Sequence, residues 1–115
     1  MNIHFSNPTI RHHCNTETAM HSAYGQACAN LLQKRLLQLF AAECLGVFLP
    51  PGCRPLICTP HSNKTINKFQ LPLDGKYILI FEAIDGEELS DKSGLDWHTI
   101  RSIIIYSIEK ITHVI

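Results

Sequence analysis

The run Lys76-Tyr77-Ile78-Leu79-Ile80-Phe81-Glu82 constrains this chain more than any other stretch. Ile78 to Phe81 is continuously apolar, which reads as a central strand buried on both faces. Phe69-Gln70-Leu71 precedes it, and Pro72, Asp74 and Gly75 separate the two, so the pair reads as a β-hairpin with Asp-Gly in its turn. An acidic, turn-rich loop follows from Asp85 to Ser93 and ends in Gly94-Leu95-Asp96-Trp97. Ile100, Ile103, Ile104, Ile105 and Ile108 then make a second central strand.

The first half of the chain is helical by the same reasoning. Ile3 and Phe5 alternate with polar neighbours between Asn2 and Ser6, as in a short edge strand. Asn7-Pro8 starts a short helix, with Asn7 as N-cap and Pro8 in the first turn, ending near Asn15. Thr16 reads as a second N-cap, with Glu17 favoured by the helix dipole. Cys28, Leu32, Leu36, Leu39 and Phe40 recur at helical spacing and form one apolar stripe, while Gln33, Lys34 and Gln38 lie off it. Gly46 is the expected C-cap, and Pro50-Pro51 prevents continuation. Leu49 to Pro60, with four prolines and one glycine, reads as a loop laid over the core. Helices first and strands after predict an α+β fold: N-terminal helices packed on one face of a small, mostly antiparallel sheet, in one domain spanning 1–115.

Composition sets outer bounds. An apolar fraction of 45% with 17% charged residues suits a globular chain and argues against disorder. No apolar run approaches the roughly 18 residues of a membrane span. Met1 to Ile10 lacks the basic start and apolar stretch of a secretory signal, so the expected location is the cytoplasm and membranes are not expected partners. The five cysteines are therefore read as reduced thiols, with Cys28 and Cys44 as small core residues and Cys53 and Cys58 off the CxxC spacing. His12-His13-Cys14 with His21 invites a metal reading, but the spacing fits no standard zinc pattern, and neither metal nor cofactor is expected. Trp97 reads as a turn-anchoring core residue. The net charge is zero but uneven: +4 up to Phe81 and −4 from Glu82 onward. A basic body of this kind is compatible with nucleic-acid contact.

The order of these pieces resembles the RelE/HigB-like killer toxins of bacterial type II toxin–antitoxin systems. Cys14-Asn15, Met20 and Tyr24-Gly25 look like the family's "LCN…M…YG" opening. Ala29, Leu32, Arg35, Leu36 and Ala41-Ala42 resemble its helix, and Leu49-Pro50-Pro51-Gly52-Cys53-Arg54 its "PPG-x-R" loop. Tyr77 and Leu79-Ile80-Phe81-Glu82 resemble its "YRLIFE" strand, and Gly94-Leu95-Asp96-Trp97 with Ile103, Ile105 and Ile108 its closing segment. The resemblance implies a RelE/ParE-like fold, a helix-turn-helix antitoxin as partner, and metal-independent cleavage of messenger RNA on the ribosome. In that reaction the ribose 2′-hydroxyl attacks the adjacent phosphate. A base takes its proton, an acid protonates the leaving oxygen, and cations steady the phosphorane.

The site residues that the resemblance implies are His61 as base or phosphate ligand, Lys64 and Lys68 as charge stabilisers, and His113 as acid. Arg54 and Lys76 are expected to contact RNA phosphates. The ordinary alternatives are a solvated loop for His61 and Lys64, a frayed terminus for His113, and plain surface cations for the rest. The chain also departs from the family pattern. Ile78 stands where the strand's Arg is expected, Thr65 lies near another expected Arg, and Ile111 stands where a Tyr is expected. His113 falls one residue late, and in a strand a one-residue shift turns a side chain to the other face. Two alternatives stay open: on these grounds a catalytically decayed toxin fold that only binds an antitoxin or ribosome, and, on the His12-His13-Cys14 and His21 cluster, a Cys/His metal-binding domain.

Overall fold

A computed structural model describes residues 1–48, 54–55, 67–91 and 94–111. Its strands are β1 (Asn2–Phe5), β2 (Arg54–Pro55), β3 (Lys68–Pro72), β4 (Tyr77–Ala83), β5 (Glu87–Glu88), β6 (Leu95–Asp96) and β7 (Ser102–Lys110). Its helices are α1 (Pro8–Asn15), α2 (Glu17–Tyr24) and α3 (Gln26–Ala41), with single 3-10 turns at Leu45–Val47 and Trp97–Thr99. Among the described residues no helix is long and apolar enough to cross a membrane.

Five strands form one mixed sheet in the order β1-β7-β4-β3-β2. β1 runs parallel to β7, with Ile3 opposite Ile103 and Phe5 opposite Ile105, and the other three pairings are antiparallel. β3 and β4 form the expected hairpin, closed by the turn at Asp74-Gly75, where Asp74 Oδ1 accepts from the Lys76 N–H at 3.0 Å. β5 and β6 pair as a separate two-stranded ribbon inside the acidic segment. The architecture is small α+β, with the helices before the main run of strands.

Local chemistry accounts for the helix ends. Asn7 Oδ1 accepts from the Ile10 N–H at 2.8 Å and caps α1, with Pro8 in the first turn. Thr16 starts α2 without a side-chain cap, because its hydroxyl meets His12 Nδ1 at 3.3 Å instead. Gly25, at φ +82°, breaks the helical path between α2 and α3, a conformation that a side chain would strain. The helix does not reach Gly46. α3 ends at Ala41, Cys44 is extended, and the Leu45 N–H donates to Ile100 O at 2.9 Å, which fixes the chain against the start of β7.

The core lies between the helices and one face of the sheet. Leu32, Leu36, Leu39, Cys28 and Met20 meet Phe69, Leu71, Leu79, Phe81, Ile103 and Ile105. Phe69 and Phe81, opposite each other across β3 and β4, stack with ring centres 5.4 Å apart, and Trp97 sets its edge on Phe69 at 5.1 Å. Such pairs contribute about 0.5–1.5 kcal/mol each beyond area burial. Ile78 to Phe81 is a central strand, but it is buried on one face only: Leu79 and Phe81 point into the core, Ile78 and Ile80 to the half-exposed side. Phe40 also leaves the expected stripe and is 52% exposed, because it lies off the line of Leu32, Leu36 and Leu39.

β7 carries a β-bulge. Phe81 stands opposite Ile105 but Ile80 stands opposite Ser107, so Tyr106 is the extra residue. The bulge places both Ile105 and Ile108, three residues apart, on the core side of one strand, since Ile108 stands opposite Leu79.

Candidate functional site

The helices pack on one face of the sheet, and among the described residues no helix covers the opposite face. Strand register sets its side chains in rows. One row runs His4, Ile104, Glu82, Lys68 across β1, β7, β4 and β3. The next runs Ser107, Ile80, Gln70, with Arg54 at the register position opposite Gln70 on β2. The bulged Tyr106 sits between the two rows on β7. Neighbours along a row have Cβ atoms about 4.5–5.5 Å apart.

Three groups on this face carry chemistry. The Lys68 ammonium lies over the Tyr106 ring, 5.2 Å from its centre. Glu82, the cross-strand partner of Lys68, accepts a hydrogen bond from Asn67 Nδ2 at 2.8 Å, which holds the carboxylate at that end of the hairpin. A cation, a carboxylate and a phenol thus share one edge of the open face. Together they can bind a phosphate, accept a proton and stack against an aromatic base.

The expected site residues divide. Lys68 is on the open face. Lys76 is exposed at the other end of the hairpin, about 20 Å from Lys68 at the usual rise per strand residue, so the two cannot hold one phosphate. Its carbonyl accepts from the Ile111 N–H at 2.7 Å. Arg54 pairs through its backbone with β3 near Lys68. His61, Lys64 and His113 lie outside the described residues, although the sequence that carries His61 and Lys64 leads into β3 at Lys68. Glu82 and Tyr106 are additions from the structure. Tyr106 had a signal in the sequence, a phenol interrupting a strand of isoleucines; its meeting with Lys68 had none.

A second constellation lines a groove of about 340 Å3 beside β7. β1 ends at Phe5, and Ser6 makes the last bonds to β7, its N–H donating to Ile105 O at 2.9 Å and its hydroxyl to Tyr106 O at 2.6 Å, whereas β7 continues to Lys110 with α1 packed beside it. Thr9, Ile10 and His13 of α1, Tyr24 of α2, and Tyr106, Ser107 and Ile108 of β7 border the groove. His13 Nδ1 and the Tyr24 hydroxyl are 2.9 Å apart, and Tyr24 sets its ring edge on Tyr77 at 5.3 Å. Burial, with smaller contributions from Cys14, Cys28 and Tyr77, pushes the Tyr24 phenol up to about 12. Cys14 is buried beneath this layer, and burial pushes its thiol up to about 12. A buried thiol held neutral in this way is a poor nucleophile near neutral pH and packs as a small core group.

Comparison with protein-family models, with curated proteins and with solved structures finds no match for the chain.

Proposed function

We propose that the chain is the toxin of a toxin–antitoxin pair, a RelE/HigB-like endoribonuclease that cuts messenger RNA on the ribosome without a metal and is held inactive by a helix-turn-helix antitoxin in the cytoplasm. One observation carries this reading. The sheet face left bare by the helices presents Lys68 over Tyr106 beside Glu82, at the end of the hairpin where the His61–Lys64 sequence enters. The α+β layout and the motif order of the resemblance agree with it.

In the proposed reaction the 2′-oxygen attacks phosphorus and the bond to the 5′-oxygen breaks, leaving a cyclic phosphate and a 5′-hydroxyl. Lys68, with Lys64, stabilises the negative phosphorane. His61 accepts the hydroxyl proton, with the Glu82 carboxylate on the open face as a second base. His113 returns a proton to the leaving oxygen. Arg54 and Lys76 contact the RNA backbone, with Lys76 too far from Lys68 to share the scissile phosphate.

A second reading, the decayed toxin fold that binds an antitoxin or ribosome and cuts nothing, is favoured by one specific observation. Ile78 and Ile111, which stand where the family has Arg and Tyr, lie at the Lys76 end of the sheet and supply no polar group there. Induced expression in a bacterial host separates the two readings, with growth and messenger-RNA 5′ ends followed for the native chain and for His61→Ala, Lys68→Gln and His113→Ala. Growth arrest with new 5′ ends that these substitutions suppress supports the nuclease. Normal growth with soluble, folded protein supports the binding protein.

A further inference from the structure

The groove beside β7 and the Lys68 cluster share one residue. Tyr106 lies under the Lys68 ammonium and also borders the groove that contains the His13–Tyr24 pair. Tyr106 is 49% exposed; as the bulged residue it has no register partner on β4, and its carbonyl accepts from the Ser6 hydroxyl at 2.6 Å. A cation on an aromatic ring attracts a phosphate next to a surface on which a base can stack. The groove volume of about 340 Å3 is at the lower end of small-ligand sites, which suits a single nucleotide unit rather than a folded partner. Its border carries residues able to hydrogen-bond a base edge: Thr9, Ser107, and His13, whose Nδ1 is engaged by Tyr24, leaving Nε2 as its other hydrogen-bonding nitrogen.

We infer that this groove is a nucleotide subsite, in which one base of a single-stranded RNA stacks on Tyr106 and meets His13 while its phosphate is held by Lys68. The inference rests on the RNA-directed reading above and adds to it a path: the strand crosses the open face at Lys68 and turns over Tyr106 toward α1. The subsite exists because β1 stops at Phe5 while β7 continues, and because the bulge turns Tyr106 out of the regular alternation.

The test uses the full chain and a mixed-sequence hexaribonucleotide carrying 2′-O-methyl groups, which binds but cannot be cut. Affinity is measured for the native chain and for Lys68→Gln, Tyr106→Phe, Tyr106→Leu and His13→Ala, with the fold of each checked by amide-proton dispersion. Tyr106→Phe is expected to bind like the native chain, and Tyr106→Leu to lose about tenfold or more, the worth of one stacked base. His13→Ala should weaken binding, and the amide signals of Thr9, His13 and Ser107 should shift on titration. If the oligonucleotide binds in a Lys68-dependent way but Tyr106→Leu and His13→Ala bind as tightly as the native chain, the subsite is overturned and the nuclease reading stands. If no RNA binds at all, both are overturned.

Discussion

The Lys68 ammonium stands 5.2 Å from the centre of the Tyr106 ring, so the first residue of β3 reaches over β4 to the bulged residue of β7. A contact of this kind on a solvated face contributes only about 0.5–1 kcal/mol. The fold therefore does not depend on it, whereas phosphate chemistry on this face would. If the proposed nuclease reading holds, Lys68→Gln is expected to reduce message cleavage about a hundredfold or more, while in either case lowering stability by no more than ~1 kcal/mol. Cleavage of a defined transcript in a translation extract, run beside a urea titration, reads both quantities. Equal cleavage by the two proteins would remove Lys68 from the site.

Asp85 makes the opposite case, a charged residue whose work is structural. Its Oδ1 accepts from the backbone N–H groups of Arg101 at 2.8 Å and Ser102 at 3.1 Å, tying the end of β4 to the start of β7. Hydrogen bonds to a charged acceptor are worth about 1.5–3 kcal/mol, less where water competes, as here. Asp85→Ala is expected to destabilise by about 1–2 kcal/mol. Asp85→Asn keeps one oxygen acceptor and should fall between the two, and urea midpoints of the three proteins order them.

Much of the fold is legible in the chain because its signals are local. Asn7-Pro8 marks the start of α1, Asp74-Gly75 the hairpin turn, and the isoleucines of β7 a central strand. What the chain hides depends on distant partners. The run Ile78 to Phe81 looks buried on both sides, yet the helices cover only the side of Leu79 and Phe81. Gly46 looks like a helix end, but the chain leaves α3 earlier, drawn by the bond from Leu45 to Ile100. The acidic segment reads as solvated charge, and Asp85 within it is a strand anchor. The bulge shows in the sequence only as the odd, three-residue spacing of Ile105 and Ile108, so Tyr106 could be counted as a strand residue but not seen to meet Lys68. Lys68 and Lys76 look like near neighbours in sequence. The hairpin sets them at opposite ends of the sheet.

Gly86 has two reasons to be glycine. Its φ of +120° is one that side chains rarely adopt, and a Cβ there would come within 2.8 Å of Cγ1 of Ile100, which is fully buried and cannot swing aside. Gly86→Ala is expected to cost about 1–3 kcal/mol. Gly94→Ala is the control, since that position is open to the added methyl, and it should change stability by less than ~0.5 kcal/mol. Thermal denaturation of both variants beside the native chain decides the matter, and equal melting temperatures would contradict the assigned conformation at Gly86.

The buried thiols give the protein an alkaline limit. Burial pushes Cys14 up to about 12 and, with Asp74 adding to it, Cys28 up to about 11, against 9.0 for an unfolded cysteine. Below pH 9 both thiols are neutral in either state and their contribution to stability is fully present. Above pH 9 the unfolded chain releases its protons first, so unfolding is favoured increasingly until the folded thiols also ionise, near 11 and 12. Each group can remove up to ~1.4 kcal/mol per pH unit across that window. Tyr24, raised from 10.0 to about 12, deepens the loss above pH 10. The urea midpoint should therefore hold between pH 7 and 8.5 as far as these groups are concerned, then fall steadily from pH 9 to 10.5. Cys14→Ala should start from a lower plateau, because a small cavity is left, and then fall less steeply. The same thiols should resist alkylation in the folded chain at pH 8 and react once urea unfolds it, since the thiolate is the reactive form. A native-state reaction as fast as that of the unfolded chain would mean that neither thiol is buried as described.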